Sequence, residues 1–298
     1  MKPKPIILSS DRKESLQTQL QDLPIAYYIS NFKDSNYDYV DWHWHDEVQY
    51  CLVVKGTILF HVNQETYEIE EGNGIFINSR QIHCSKPIGS TNALYHCFEF
   101  SPTLLFHDYN SSIYKSYVMP IVKDSQCSAI VLDQNRPRCL EILNGIRSVR
   151  KLLDESQPAF ELNLLVEIIK IWKNTFLSPN IQKNTSPVTT RENERLRTIF
   201  TIIQTQYSDD LTLEDISKSA HLSRSECSRF FHKCTGQGLF QYLNQYRIHK
   251  SLELLINSDL SIADVAYSVG FASQSYYTAC FKKEMHMTPK QYQKQYSI

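Results

Sequence analysis

"LTLEDISKSAHLSRSECSRFFHKCTG", residues 211–236, and "LSIADVAYSVGFASQSYYTACFKKEMH", residues 260–286, are two renderings of one pattern. Each opens on a hydroxyl residue, Thr212 or Ser261, suited to cap a short helix. The inward positions of that helix are Leu213 and Ile216 in the first copy, and Ile262, Val265 and Ala266 in the second. Each then turns, at "HLS" or "GFAS", into a second helix that closes on an apolar patch: Phe230 and Phe231, or Cys280 and Phe281. The copies repeat at an offset of about 50 residues, with one extra residue in the second turn. Each copy predicts a helix-turn-helix unit, whose second helix enters the major groove of DNA. Between them "LFQYLNQYRIHKSLELLINS", residues 239–258, predicts a helix long enough to hold both rigidly. Second helices facing one side about 34 Å apart would meet successive major grooves.

One such unit is a weak signal, but two in tandem with matched cores are specific. Residues from about 195 to 296 resemble the DNA-binding domain of the AraC/XylS family of bacterial transcriptional regulators. "SIADVAYSVGFASQSYYTACFKK" followed by "MTPKQY" carries the likeness through Ala266, Gly270, Phe271, Ser275, Phe281 and Pro289; the first unit adds Leu222, Ser223, Arg229, Phe231 and Gly236. The resemblance implies an α+β chain, with an N-terminal cupin-like antiparallel β-barrel and helical hairpin joined to an all-α domain of two helix-turn-helix units. Three positions depart from the family pattern: Ser217 stands where a small apolar residue is usual, Ala279 where a polar reader is common, and His286 where a glycine ends the helix.

Helical phase separates DNA-facing from core residues. With Cys227, Phe230 and Phe231 inward, Arg224, Ser225, Ser228, Arg229 and His232 face out. Arg229 is the expected base reader, because a guanidinium grips guanine O6 and N7 together. Its alternative is a phosphate contact, the commoner fate of basic side chains on DNA. With Tyr277, Cys280 and Phe281 inward, Gln274, Ser275, Thr278 and Ala279 face out, and Gln274 suits adenine. Lys282 and Lys283 are expected on phosphate.

Upstream, "SPNIQKNTSPVTT", residues 178–190, has two prolines, small polar residues and no period; it reads as a linker. It divides a segment of 17 Lys/Arg and 21 Asp/Glu (residues 1–180) from one of 14 and 11 (residues 181–298), so only the C-terminal part leans basic within a net charge of −1. Leu140, Leu143, Ile146, Val149, Leu152 and Leu153 predict one amphipathic helix. Leu162, Leu165, Val166, Ile169 and Trp172 predict a second, with Pro158 near its start. This hairpin either covers the barrel or forms a dimer interface. The expected division is therefore 1–135 barrel, 136–177 hairpin, 178–190 linker and 191–298 DNA-binding domain.

Residues 40–100 are rich in β-branched and aromatic side chains and break at Gly56, Asn63-Gln64 and Gly72-Asn73-Gly74, which predicts short antiparallel strands closing a barrel or sandwich. Within them "DWHWHDEVQY", residues 41–50, places His43, His45, Glu47 and Gln49 on one strand face. "HWHDEVQYCLVVKG" with "GNGIFINSRQIH", ending on His83, resembles a cupin motif pair. In metal-binding cupins an acid stands at the position of Gln49. A neutral amide there leaves the ligand set short of a carboxylate, so neither metal nor cofactor is expected. We read His43, His45, Gln49, His83 and Trp44 as the wall of a pocket for a small polar effector, with core packing and a metal as competing readings. Trp42, Trp44 and Tyr50 either stack on a sugar ring or fill the barrel.

The resulting expectation is a cytoplasmic, non-enzymatic regulator of transcription, more readily an activator than a repressor. It would bind double-stranded DNA as a homodimer through the hairpin, answer to a small effector of which a sugar is the family-level guess, and contact RNA polymerase. The alternative is a metal-dependent cupin enzyme with an accessory helical domain. No apolar run reaches the roughly 20 residues that span a bilayer, and "MKPKPIILSSDRKES" lacks a secretory core. Eight cysteines without C-x-x-C spacing are expected as reduced, mostly buried thiols.

Overall fold

The computed structural model describes residues 13–16, 18, 23–32, 39–89, 92–106, 108, 110–123, 127–155, 158–178 and 190–296. The chain forms two compact units, Met1–Asn193 and Glu194–Ile298. Residues 179–189, most of the expected linker, lie outside the described residues, and the division between units falls inside a helix rather than at residue 190.

The first unit is built on two antiparallel sheets. Its strands are β1 (Ile25–Asn31), β2 (Val40–His43), β3 (Val48–Lys55), β4 (Thr57–Val62), β5 (Glu65–Glu70), β6 (Gly74–Ile77), β7 (His83–Pro87), β8 (Leu94–Phe100) and β9 (Ala129–Leu132). They pair in the orders β1-β8-β3-β6-β9 and β2-β7-β4-β5. The turns fall at the breaks predicted from Gly56, Asn63-Gln64 and Gly72-Asn73. Alternation along a strand sends successive side chains to opposite faces, and the five-stranded sheet uses both. Ala26, Cys51, Val53, Ile75 and Cys97 pack inward with Ile58, Phe60 and Val62 of the other sheet. Tyr27, Tyr50, Phe98 and Phe100 pack on the opposite face, against helices.

Those helices follow a short turn, α1 (Met119–Val122): α2 (Pro137–Asp154) and α3 (Phe160–Phe176) form the predicted hairpin. Ile142, Leu143, Ile146 and Val149 of α2 join Leu164, Ile168, Ile171 and Trp172 of α3 under the sheet, and Tyr50 Oη shares a 2.9 Å hydrogen bond with Thr175 Oγ1. The hairpin covers the barrel, and α2 buries Leu143, Ile146 and Val149 as periodicity selected, but on α3 only Trp172 of the selected face is buried. Leu162, Val166 and Ile169 are 65%, 49% and 52% exposed, because α3 is apolar on two sides and the sheet takes the side of Leu164 and Ile168. Leu140 also points outward, and Pro158 precedes a left-handed Ala159 instead of entering the helix.

The second unit is helical: α4 (Thr190–Gln206), α5 (Leu213–Ser219), α6 (Arg224–Thr235), α7 (Leu239–Asn257), α8 (Ile262–Ser268), α9 (Gln274–Met285) and α10 (Pro289–Tyr296). The repeated start signals act as caps. Thr212 with Asp215, Ser223 with Glu226 and Ser261 with Asp264 form reciprocal capping boxes, and Ser273 accepts from the Tyr276 N–H. Phe231 meets Phe200 and Tyr242 edge-on or tilted, which ties the first helix-turn-helix to α4 and α7. In the second, Tyr277 and Phe281 pack with Val265, Ala266, Ile248 and Leu252, and Tyr277 donates to Ser251 Oγ at 2.9 Å. Burying each such aromatic contributes about 1.5–3 kcal/mol. Helix α7, 19 residues and so about 28 Å long, supplies Tyr242 and Leu243 to one unit and Ile248, Leu252 and Leu255 to the other. Phe230 and Cys280, expected inside, are only half-buried; Phe231 and Phe281 fill those places. All eight cysteines are free, with Cys84 and Cys280 half-buried and the rest buried.

Candidate DNA interface and barrel site

On α6 the side chains of Arg224, Ser225, Ser228, Arg229 and His232 are all exposed on the face opposite Cys227 and Phe231. Arg224 Nε stands 4.0 Å from Glu214, a surface contact of small energy. Glu226 is an acid on this basic face, but its carboxylate accepts from the Ser223 hydroxyl and backbone N–H at 2.6 and 2.9 Å, which hold it below the usual carboxylate range. The acid is thereby committed to the helix start while Arg229, one turn on, stays solvent-facing.

On α9, Gln274, Ser275, Ala279, Lys282 and Lys283 are exposed. Thr278 is only half-buried outward, and its hydroxyl donates to Gln274 O at 2.8 Å, so its hydrogen-bonding capacity is partly spent on its own helix. Sequence phase missed Tyr276, which is 54% exposed beside Gln274 and accepts at 2.9 Å from Asn244 of α7. The signal was present as the doubled tyrosine, of which only one can face the core.

In the first unit, β2 and β7 pair His43 with His83, while β3 and β8 pair Gln49 with Glu99. The two sheets thus bring His43, His45, Gln49 and His83 together as expected, and add two acids, Glu14 and Glu99; every one of these is buried. Glu14 arrives from outside the strands: Lys13 bridges Trp44, and the Glu14 N–H donates to Trp44 O at 2.8 Å. The ring of Trp44 has the Lys13 ammonium 5.3 Å over its centroid, and Trp42 lies beside His61, so neither indole offers a clear stacking face for a sugar.

The histidines share one device. Nδ1 of His43 donates to Asp41 O (2.7 Å), that of His45 faces Glu47 O (3.1 Å), and that of His83 donates to Gln81 O (2.9 Å). The Nε2 atoms meet the interior: His43 Nε2 lies 3.4 Å from Glu14 Oε2, and His45 Nε2 lies 2.9 Å from Gln49 Oε1 and 3.8 Å from Glu99 Oε1. His83 Nε2, Glu14 Oε2 and Glu99 Oε2 are buried without a hydrogen-bond partner. Burial, reinforced by Glu99, raises the Glu14 pKa well above the usual carboxylate range; burial raises that of Glu99 to about 8; burial with His43 and His45 nearby lowers that of His83 well below the ordinary imidazole value. Cys97 Sγ donates to Glu99 Oε1 at 3.2 Å and orients it. One donor atom from each of His43, His45 and His83 lies within 4.8 Å of the others, as do those of Glu14, His45 and Glu99.

Residues 27–164 match the family described as the AraC-like ligand binding domain, and residues 216–295 match a helix-turn-helix domain family. The chain is 31% identical over 291 residues to the uncharacterized HTH-type transcriptional regulator YdeC of Bacillus subtilis (strain 168), covering 98% of this chain and 99% of that protein. It is 31% identical to the regulatory protein PocR of Salmonella typhimurium over 52% of this chain and 54% of PocR. Likeness to the HTH-type transcriptional activator RhaS of Escherichia coli is 22% identity, over 83% of this chain and 85% of RhaS. No helix among the described residues is long and apolar enough to cross a membrane.

Proposed function

Because this chain belongs to the AraC family of transcriptional regulators, which joins a ligand-binding domain to a helix-turn-helix DNA-binding domain, we propose that α6 and α9 read a two-part operator and that an effector held among the barrel histidines sets its occupancy. The observation that carries this reading is the pair of capped helices that turn Phe231, Tyr277 and Phe281 inward and leave Arg229 and Gln274 exposed. In it Arg229 grips a guanine, Gln274 an adenine, and Arg224, Ser225, Ser228, His232, Ser275, Thr278 and Lys282 position the helices on base edges and phosphate.

Dimerisation is part of the proposal, through the outward stripe of Leu162, Val166 and Ile169 on α3, since linking two weak modules raises their effective concentration on DNA. The proposal further includes cytoplasmic location, activation and contact with RNA polymerase. The enclosed histidine cluster and the covered indoles favour an effector smaller than a sugar ring. It regulates by binding one arrangement of the chain better than another.

Selection of binding sites from random duplexes, followed by anisotropy titrations at fixed salt, tests the reading. The expected site has two contact clusters about one helical turn apart. Arg229→Ala loses about 1–3 kcal/mol with base preference at one cluster, and Gln274→Ala does the same at the other. A single cluster, or equal loss on all sequences, overturns it.

A further inference from the structure

We propose that a cleft between α7 and α9, in the second unit, binds a free α-amino acid with an apolar side chain. Only its effect on operator binding rests on the reading of α9 as a DNA-contacting helix.

The cleft measures about 300 Å³. That is the small end of the range for ligand pockets and about ten times the roughly 30 Å³ share of one water, room for a metabolite of about ten non-hydrogen atoms. Its apolar lining comes from both helices: Phe240 and Tyr276 present exposed aromatic rings, and Ile248 lines it as a buried side chain. Tyr276 is held in place, because Asn244 of α7 donates to its hydroxyl at 2.9 Å and its ring meets Phe271 edge-on. A wall already fixed in position lowers the ordering cost of receiving an apolar group.

The polar lining is a pair of opposite charges. The Glu284 carboxylate is gripped from α7: Gln245 Nε2 donates to one oxygen at 3.0 Å, and His249 Nε2 lies 3.5 Å from the other. Hydrogen bonding to His249, with Gln245, holds its pKa below the usual carboxylate range. An ionised carboxylate has about four acceptor sites, so Glu284 has capacity left for an ammonium. Lys283 brings an exposed ammonium of its own to the same cleft. Side chains at i and i+1 of a helix do not face each other, so Lys283 and Glu284 do not neutralise one another. A ligand that answers both carries a cation and an anion a few bonds apart, as an α-amino acid does. Its ammonium takes Glu284, its carboxylate takes Lys283, and its side chain covers Phe240, Tyr276 and Ile248. A phosphate or a fatty acid would meet a like charge at Glu284, and a simple amine would meet one at Lys283.

The same cleft touches the DNA-facing side of α9. Lys283 is expected on phosphate, so an occupant that takes its ammonium removes one phosphate contact. Amino acid and operator then weaken each other by the same factor.

The test titrates the full chain with L-phenylalanine, L-leucine and L-methionine, followed by calorimetry and, for weak ligands, by NMR. Phenethylamine and 3-phenylpropionate serve as probes that lack the carboxylate and the ammonium. At least one of the amino acids should bind, one molecule per chain, with a dissociation constant below about 1 mM. Each single-charge probe should bind at least about 10-fold more weakly than L-phenylalanine, the loss of one charged hydrogen bond. Lys283→Gln should weaken the amino acid by at least about 10-fold and leave phenethylamine unchanged; Glu284→Gln should weaken the amino acid equally and leave 3-phenylpropionate unchanged. This crossed pattern separates a lost contact from a misfolded unit, which would lose both probes. Absence of binding by all three amino acids overturns the proposal. So does parental affinity in both variants, which would place the ligand elsewhere, the barrel included. Anisotropy titrations on the selected operator, with and without the amino acid that binds, read the coupling. Saturating ligand should weaken operator binding by the parent, lower the magnitude of its salt slope by about 0.9, and leave Lys283→Gln unaffected. An amino acid that binds and leaves operator affinity unchanged supports the site and overturns its coupling to DNA; a chain that binds no operator at all overturns the DNA reading and leaves the titrations to decide on the cleft.

Discussion

Gly270→Ala should cripple the second helix-turn-helix. Gly270 sits at φ +89° in the turn between α8 and α9, and an added Cβ would lie 2.5 Å from Tyr207 O and 3.0 Å from two nitrogens of Arg247. A left-handed conformation costs an L-residue about 1–2 kcal/mol. The clash adds to this, because Tyr207 O has no freedom to retreat: it accepts from Arg247 Nε at 2.6 Å, while the same guanidinium donates to Asp209 O at 2.9 Å and lies over Phe271. Losing one hydrogen bond to a charged group costs about 1.5–3 kcal/mol, for a total of roughly 3–5 kcal/mol. Gly236 is the internal control. It ends α6 at φ +72° with nothing within 4 Å of its Cβ position, so Gly236→Ala should lose only the conformational part, about 1–2 kcal/mol. Urea unfolding of the two variants, fitted to separate transitions for the two units, reads the difference. Equal losses would refute the argument that Arg247 locks the turn.

Three further outcomes follow from the same geometry. His286 ends α9 at φ +56° where α6 uses a glycine, so His286→Gly should raise the midpoint of the second unit by an amount equivalent to about 0.5–1 kcal/mol, measured by thermal melting. Hydrogen bonding to His249 and Gln245 lowers the pKa of Glu284. A lowered folded-state value gives stability that is present above the unfolded value of about 4.3 and is lost as pH falls through the folded one. Urea midpoints taken from pH 6 downward should therefore fall less steeply in Glu284→Gln than in the parent, and parallel limbs would remove the pair from the acid response. Val166→Glu puts a charge in the exposed stripe of α3 and should shift sedimentation from dimer to monomer without changing the melting curve; a dimer that persists would place the interface elsewhere.

What could be read from the sequence was what is local along the chain. The helix-turn-helix pair was legible because capping residues, inward apolar positions and turn residues all lie within a few residues of one another and recur in register. Periodicity located α2 and α3 but misjudged the buried side of α3, since Leu162, Val166 and Ile169 are as apolar as Leu164, Ile168 and Ile171 and only the sheet decides between them. In the barrel, His43, His45, Glu47 and Gln49 were expected on one strand face, but β2 ends at His43 and β3, in the other sheet, begins at Val48, so the packing of the sheets rather than alternation brings His45 to Gln49. Alternation could not supply Glu14, which is joined to Trp44 by a bridge about 30 residues distant.

Glu99 is the more instructive omission, because its signal was present: an acid between Phe98 and Phe100 in a strand buried on both faces needs a partner. The motif reading looked for that acid at Gln49, on the same strand as the histidine pair. Register puts Glu99 directly across from Gln49, facing the same interior, so the carboxylate has moved one strand sideways without leaving the site. Gln49→Glu alone sets two buried acids across one strand pair and should lower the urea midpoint of the first unit by an amount equivalent to at least about 1–3 kcal/mol, whereas Gln49→Glu combined with Glu99→Gln restores one acid and one amide and should recover most of that loss. A double variant as unstable as Gln49→Glu would mean that the two positions are not interchangeable, and that Cys97, which donates to Glu99, fixes the carboxylate in a place Gln49 cannot reach.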